Sequence, residues 1–187
     1  YTDIFGIAAT AVGTMILITR IWDTFFDPVV GVIADRTKSR WGKFRPYLLY
    51  VSVPFGIIGV LTFTVPSFSG TGLLIYAYIT YSLMMMIYSL INVPYASLLG
   101  VISADPKQRN ILASFRMAFA FTGSLIALAL IEPLVNIFSK KAGGIVDAKS
   151  GWQLAVMVIA VLCVVIFILC FSWVKERVQP LKAEESS

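Results

Sequence analysis

The 187 residues are 58% apolar and 13% charged, with a formal net charge of +5. Soluble domains carry about 25% charged residues, whereas this chain has no charge at all from Pro46 to Ala104, so a lipid bilayer is its natural solvent. Water-soluble enzymes, DNA-binding domains and disordered regulators are excluded, and the basic residues fall in short clusters between apolar runs, which is a topology signal rather than a nucleic-acid surface.

The chain has no histidine, and its two cysteines, Cys163 and Cys170, share one apolar run, which argues against a zinc site or a disulfide framework. No secretory leader pattern opens it. A hydrocarbon core of about 30 Å takes roughly 20 helical residues. Five stretches qualify, 9–34, 46–66, 72–100, 110–134 and 152–174, which predicts an all-α transmembrane fold. Residues 1–174 read as one helix bundle and 175–187 as a solvated tail or linker ending in Glu184-Glu185-Ser186-Ser187.

The first span carries Arg20, Asp23 and Asp27 at membrane depth, where every charge is costly and is expected to face the bundle interior or a wet cavity. Asp23 and Asp27 are four residues apart, one above the other on a shared helix face that Arg20 joins. Stacked carboxylates in a low dielectric repel until a cation joins them, so the pair predicts a proton or sodium site. The alternative is that Arg20 neutralises one of them and the set merely ties helices together.

Next come Gly31-Val32-Ile33-Ala34-Asp35-Arg36 and Arg40-Trp41-Gly42-Lys43-Phe44-Arg45-Pro46. A carboxylate among arginines in a short interhelical turn can pair with a neighbouring helix end and latch one conformation. Arg20, Asp35, Arg36, Arg40, Lys43 and Arg45 make up this expected charge network; the plain alternative is a solvated basic loop. Pro66 to Gly72 supplies the following turn.

In the third span Asn92-Val93-Pro94-Tyr95 is expected to interrupt the helix, with Ser89 and Asn92 offering polar atoms beside the freed carbonyl. Polar atoms near an aromatic ring suit a hydroxylated substrate, while a packing kink is the other reading. Tyr78, Tyr81, Tyr88 and Tyr95 form a stripe best explained by interhelical packing. Arg116 stands without an acid nearby in the fourth span and needs either Asp23 or Asp27 as partner or a substrate hydroxyl as acceptor. Glu132, beside Pro133 at the outer end, reads as interfacial. Lys140 to Gly144 and Asp147 to Gly151 separate the last two spans.

Arg36 to Arg45, Lys107 and Arg109 in the 101–109 loop, and Lys175, Arg177 and Lys182 fall on one side of the alternating spans, against Lys140, Lys141 and Lys149 on the other. The positive-inside rule assigns loops 36–45 and 101–109 and the tail to the cytoplasm. Transporters built from repeats use bundles of three and six helices, so five spans beginning at Tyr1 predict one more helix upstream.

Tyr1-Thr2-Asp3-Ile4-Phe5-Gly6, Arg20-Ile21-Trp22-Asp23 with Asp27-Pro28, Asp35-Arg36, the Arg40 to Pro46 run, Asn92-Val93-Pro94-Tyr95 and Arg116 together resemble the glycoside–pentoside–hexuronide:cation symporters of the major facilitator superfamily. The resemblance covers nearly the whole chain, and RWGKFRP with WDxxxDP is its most specific part. It implies sugar uptake coupled to Na+ or H+ by alternating access of two six-helix halves in a bacterial inner membrane, with no enzymatic activity, organic cofactor or nucleic-acid partner. The five spans would be helices 2–6 of twelve, leaving helix 1 and the C-terminal six-helix half to complete the cavity among membrane lipids.

The resemblance further implies that Asp23, Asp27 and Ser89 serve the cation, with no metal beyond Na+, and that Asn92, Tyr95 and Arg116 touch the sugar. Asn92 stands where the family's melibiose permeases carry an aspartate, and Ala96 where they carry a tryptophan, so a pentoside, a glucuronide or another glycoside is implied. Phe26 replaces a polar residue beside the acidic pair and leaves Na+ and H+ both open. Carriage of an amphipathic lipid on the same fold is the alternative.

Overall fold

The computed structural model describes residues 2–66, 70–141 and 148–176. Every regular element among them is helical: α1 (Thr2–Phe5), α2 (Ala9–Arg36), α3 (Arg45–Tyr50), α4 (Ser52–Phe63), α5 (Thr71–Ile102), α6 (Pro106–Lys141) and α7 (Ala148–Trp173). Only Val51 separates α3 from α4, and the two form one rod, Arg45–Phe63. α6 starts where a turn residue and a proline coincide: the Lys107 amide donates to the Asp105 carboxylate at 3.0 Å, and Pro106 is the first helical residue.

Four of the rods are long and apolar enough to cross a membrane, Arg45–Phe63, Thr71–Ile102, Pro106–Ser139 and Lys149–Trp173. The molecule is a multi-pass membrane protein. α2, expected as a fifth apolar span, has the length at 28 residues, but Arg20, Asp23 and Asp27 lower its hydropathy and make it a membrane-length helix with a charged middle. α6 extends through Lys140 and Lys141, beyond the expected end at 134. The remainder of that turn, 142–147, and tail residues 177–187 lie outside the described residues.

α5 is the central rod, packing against α2, the α3–α4 rod and α6, while α7 packs against α3, α4 and α6. α2 and α5 run parallel: the Tyr78 hydroxyl donates to the Ala11 carbonyl at 3.2 Å, and further along Gly31 faces Val93. α2 meets this seam through the buried Met15, Thr19, Val30 and Ala34, spaced at three-to-four-residue multiples. Apolar clusters close both ends of the seam, one around Phe5, Met15 and Ala77, the other around Ala34, Leu48, Ile91 and Leu98.

The expected interruption at Asn92-Val93-Pro94-Tyr95 is not found, because α5 is one helix from Thr71 to Ile102 and Pro94 is buried inside it. A proline removes a single amide donor, and packing on both sides of a membrane helix can hold the rod together around that loss. α4 and α7 approach closely at Gly56, where a Cβ would lie 2.8 Å from a Val164 methyl; small residues of this kind set helix spacing in membranes.

Candidate functional site

Asp23 falls on the stripe of α2 defined by Met15, Thr19, Val30 and Ala34, between the Thr14–Tyr78 and Gly31–Val93 contacts with α5. It is half-buried, and its Oδ1 is shut off from solvent with no hydrogen-bond partner. Thr19 and Thr24 do not help: each hydroxyl is returned to its own helix, at the Met15 and Arg20 carbonyls. Asp27, four residues further along, is exposed at the edge of the same face. Four residues turn a helix by about 400°, so Asp27 stays within about 40° of Asp23, the offset that also separates Met15 from Thr19 and Val30 from Ala34.

Arg20 is also exposed, and neither aspartate is ion-paired with Arg20 or Arg116 among the described residues. Ser89 is buried on α5 between Tyr78 and Val93, the same stretch of the seam as Asp23. Among the described residues no three His, Cys, Asp or Glu groups converge, so a cation at Asp23 would draw its remaining ligands from hydroxyls, carbonyls or water.

A second place forms where α5, α6 and α7 meet. The Arg116 guanidinium lies over the Tyr95 ring, 4.6 Å from its centroid, in a cleft of about 200 Å³ lined also by Leu98, Ile102, Leu112 and Cys170. Of the two partners expected for Arg116, an acid or a substrate hydroxyl, the acid is absent among the described residues, and an aromatic face lies against the guanidinium. Asn92 is half-buried one turn before Tyr95 and does not line this cleft. Ser89, Asn92 and Tyr95 recur every three residues and step about 60° around α5 each time, so Ser89 and Tyr95 stand about 120° apart on the rod, with Asn92 between them.

The 36–45 loop is tied down. The Lys43 ammonium pairs with Asp35 at 3.0 Å. The Arg45 guanidinium donates to the carbonyls of Phe171, at 2.5 Å, and Trp41, at 3.3 Å, and covers the Phe171 ring. Arg40 stacks on Trp41, 4.4 Å from the ring centroid, while Arg36 is exposed. The main residue that the sequence pattern did not single out is Glu176: expected in a solvated tail, it accepts the amides of Lys43 at 2.8 Å, Phe44 at 2.8 Å and Arg45 at 3.0 Å. An acidic residue two positions after the last apolar run is the one local sign of this docking.

The bundle thus brings together an unpartnered carboxylate on an inner seam, a cation–aromatic cleft and a clamped basic loop. The chain belongs to the MFS/sugar transport protein family, whose model matches residues 1–187. It is 46% identical over 180 residues to the inner membrane symporter YicJ of Escherichia coli K12, covering 96% of this chain and 38% of that protein. It is 39% identical over 186 residues to the isoprimeverose transporter of Lactiplantibacillus pentosus, covering 100% of this chain and 38% of that one. A glucuronide carrier protein homolog of Escherichia coli K12 is 35% identical over 188 residues, 100% of this chain and 40% of that protein. The chain thus spans about two fifths of the length of these curated relatives.

Proposed function

We propose that the chain is part of a secondary transporter that carries a glycoside, pentoside or hexuronide together with Na+ or H+ across a bacterial inner membrane by alternating access, without enzymatic chemistry. The observation that carries this reading is the Asp23 Oδ1 atom, buried without a partner on the α2 face packed against α5. A buried carboxylate oxygen with no donor is costly, and a small cation offsets that cost. Relatives named for isoprimeverose and for a glucuronide support a glycosidic solute.

In this reading Asp23 and Asp27 take the coupling ion with the Ser89 hydroxyl, and Arg116, Tyr95 and Asn92 meet the sugar. The guanidinium offers donors in a fixed fork to sugar oxygens, and the Tyr95 ring holds that fork in place. Ion binding neutralises the seam and lets α2 and α5 close around the solute. A coupling free energy of about 1–3 kcal/mol is enough to make each ligand favour the other. Loops 36–45 and 101–109 face the cytoplasm, following the distribution of Lys and Arg.

Uptake of a sugar panel into proteoliposomes, with Na+ and pH gradients imposed separately, tests the reading. Asp27→Cys is expected to lose uphill accumulation while keeping sugar exchange; normal uphill uptake in that variant would sink the assignment. Competition by lysolipids and not by sugars would move the reading to a lipid carrier.

A further inference from the structure

The start of α3 and the end of α7 cap each other. The amides of Lys43, Phe44 and Arg45 lie at the beginning of the Arg45–Phe63 rod, where backbone donors have no acceptor in their own helix. The Glu176 carboxylate takes all three, Oε2 from Lys43 and Oε1 from Phe44 and Arg45. In return the Arg45 guanidinium donates to the Phe171 carbonyl, in the last turn of α7, where carbonyls are short of donors. Gly42 makes room for this exchange. Its φ of +111° suits glycine, and a Cβ there would come within 2.5 Å of the Glu176 carboxyl group.

The clamp reaches a third helix. Lys43, whose amide Glu176 holds, extends its ammonium to Asp35 in the last turn of α2. Fixing the backbone at residue 43 therefore fixes the origin of the side chain that pairs with Asp35. Trp41, edge-on to Phe171 with centroids 5.9 Å apart, fills the space between the two chains.

We propose that Glu176 is a positioning residue of the transport cycle, holding the α2–α3 loop on the end of α7 so that the Asp35–Lys43 pair forms and the ends of α2, α3 and α7 move as one body. Its effect on turnover rests on the transporter reading above; the clamp itself does not. Glu176 touches no solute and acts through three backbone amides, where an anion is strongly held because the bonds are charge-assisted and the helix N-terminus is positive. Without it, the loop amides turn to water and Lys43 is free to leave Asp35. Closure of this end of the bundle then slows while the distant sugar contacts are left intact.

Hydrogen exchange at residues 43–45, read by mass spectrometry on the purified full chain in nanodiscs, tests the clamp. Glu176→Ala is expected to speed exchange there by at least about tenfold, leaving α6 unchanged, and Glu176→Gln, which keeps an acceptor oxygen without charge, to fall between. In proteoliposomes Glu176→Ala is expected to lower maximal uptake about threefold to tenfold with apparent sugar KM within about twofold of wild type, and Glu176→Gln to recover part of the rate. Unchanged exchange in Glu176→Ala overturns the clamp, and faster exchange with wild-type uptake kinetics overturns the positioning role. Absence of uptake by the full-length wild-type protein that contains this chain would defeat the transporter reading separately, and the exchange measurement would then decide the clamp by itself.

Discussion

The Arg116 guanidinium rests on the ring of Tyr95, 4.6 Å from its centroid, and this contact links α6 to α5. It is the charged feature of a cleft whose other walls include Leu98, Ile102, Leu112 and Cys170. Among the described residues no carboxylate competes for the guanidinium, so its donors are directed by the aromatic face and stay available to a polyhydroxylated ligand.

Tyr95→Phe keeps the ring and is expected to hold sugar affinity within about twofold. Tyr95→Leu removes the π face, a loss of about 1–2 kcal/mol, and is expected to weaken binding about fivefold to thirtyfold. Arg116→Lys keeps the charge but loses the planar fork and is expected to weaken it at least as much. Isothermal titration with the preferred sugar checks the series.

The two aspartates are expected to separate in a thermal assay. Asp23 is half-buried with an unpartnered oxygen, whereas Asp27 is exposed. Asp23→Asn removes a charge from a place that solvates it poorly, so the ion-free protein should melt higher and lose its stabilisation by the coupling ion. Asp27→Asn should leave the ion-free melting temperature near wild type and weaken the ion response only in part. Melting curves with Na+ varied at fixed pH, and with pH varied at fixed Na+, give both readouts.

Gly42→Ala combines a positive φ with a collision against Glu176 and is expected to destabilise by about 1–3 kcal/mol. Gly56→Ala pushes a methyl towards Val164 and is expected to cost a similar about 1–3 kcal/mol by parting α4 from α7. Gly100→Ala, inside α5 with open space around it, serves as the control and is expected to stabilise by about 0.5–1 kcal/mol. Denaturant unfolding in detergent measures all three.

Tyr78→Phe deletes the hydroxyl that bonds to the Ala11 carbonyl and Thr14, and is expected to cost about 0.5–1.5 kcal/mol of stability while leaving the sugar dissociation constant unchanged. The same unfolding assay, paired with a sugar titration, checks it.

The membrane rods were legible because bilayer thickness imposes a length on apolar runs, and the charged middle of α2 stood out against them. Asp23 was legible for the same reason. The exposure of Asp27 was not, because spacing puts it on the face of Asp23 without showing how far the packed seam covers that face. Nor was the unbroken α5, since the sequence shows Pro94 but not the neighbours that hold the rod around it. Arg116 presented an unmet electrostatic need, yet its satisfaction by Tyr95 depends on how two helices meet. Glu176 was hidden most thoroughly: its three donors lie more than a hundred positions earlier, and a lone acid after an apolar run looks like the start of a solvated tail.

Within the apolar stretch of α6 none of the residues is enclosed by the rest of the bundle, although the helix touches α5 and α7. Oil–water partition fixes its depth and leaves its azimuth largely undetermined. The Arg116 guanidinium seated on Tyr95 then acts as a keel, choosing which flank of this rod confronts α5 and which meets the acyl chains.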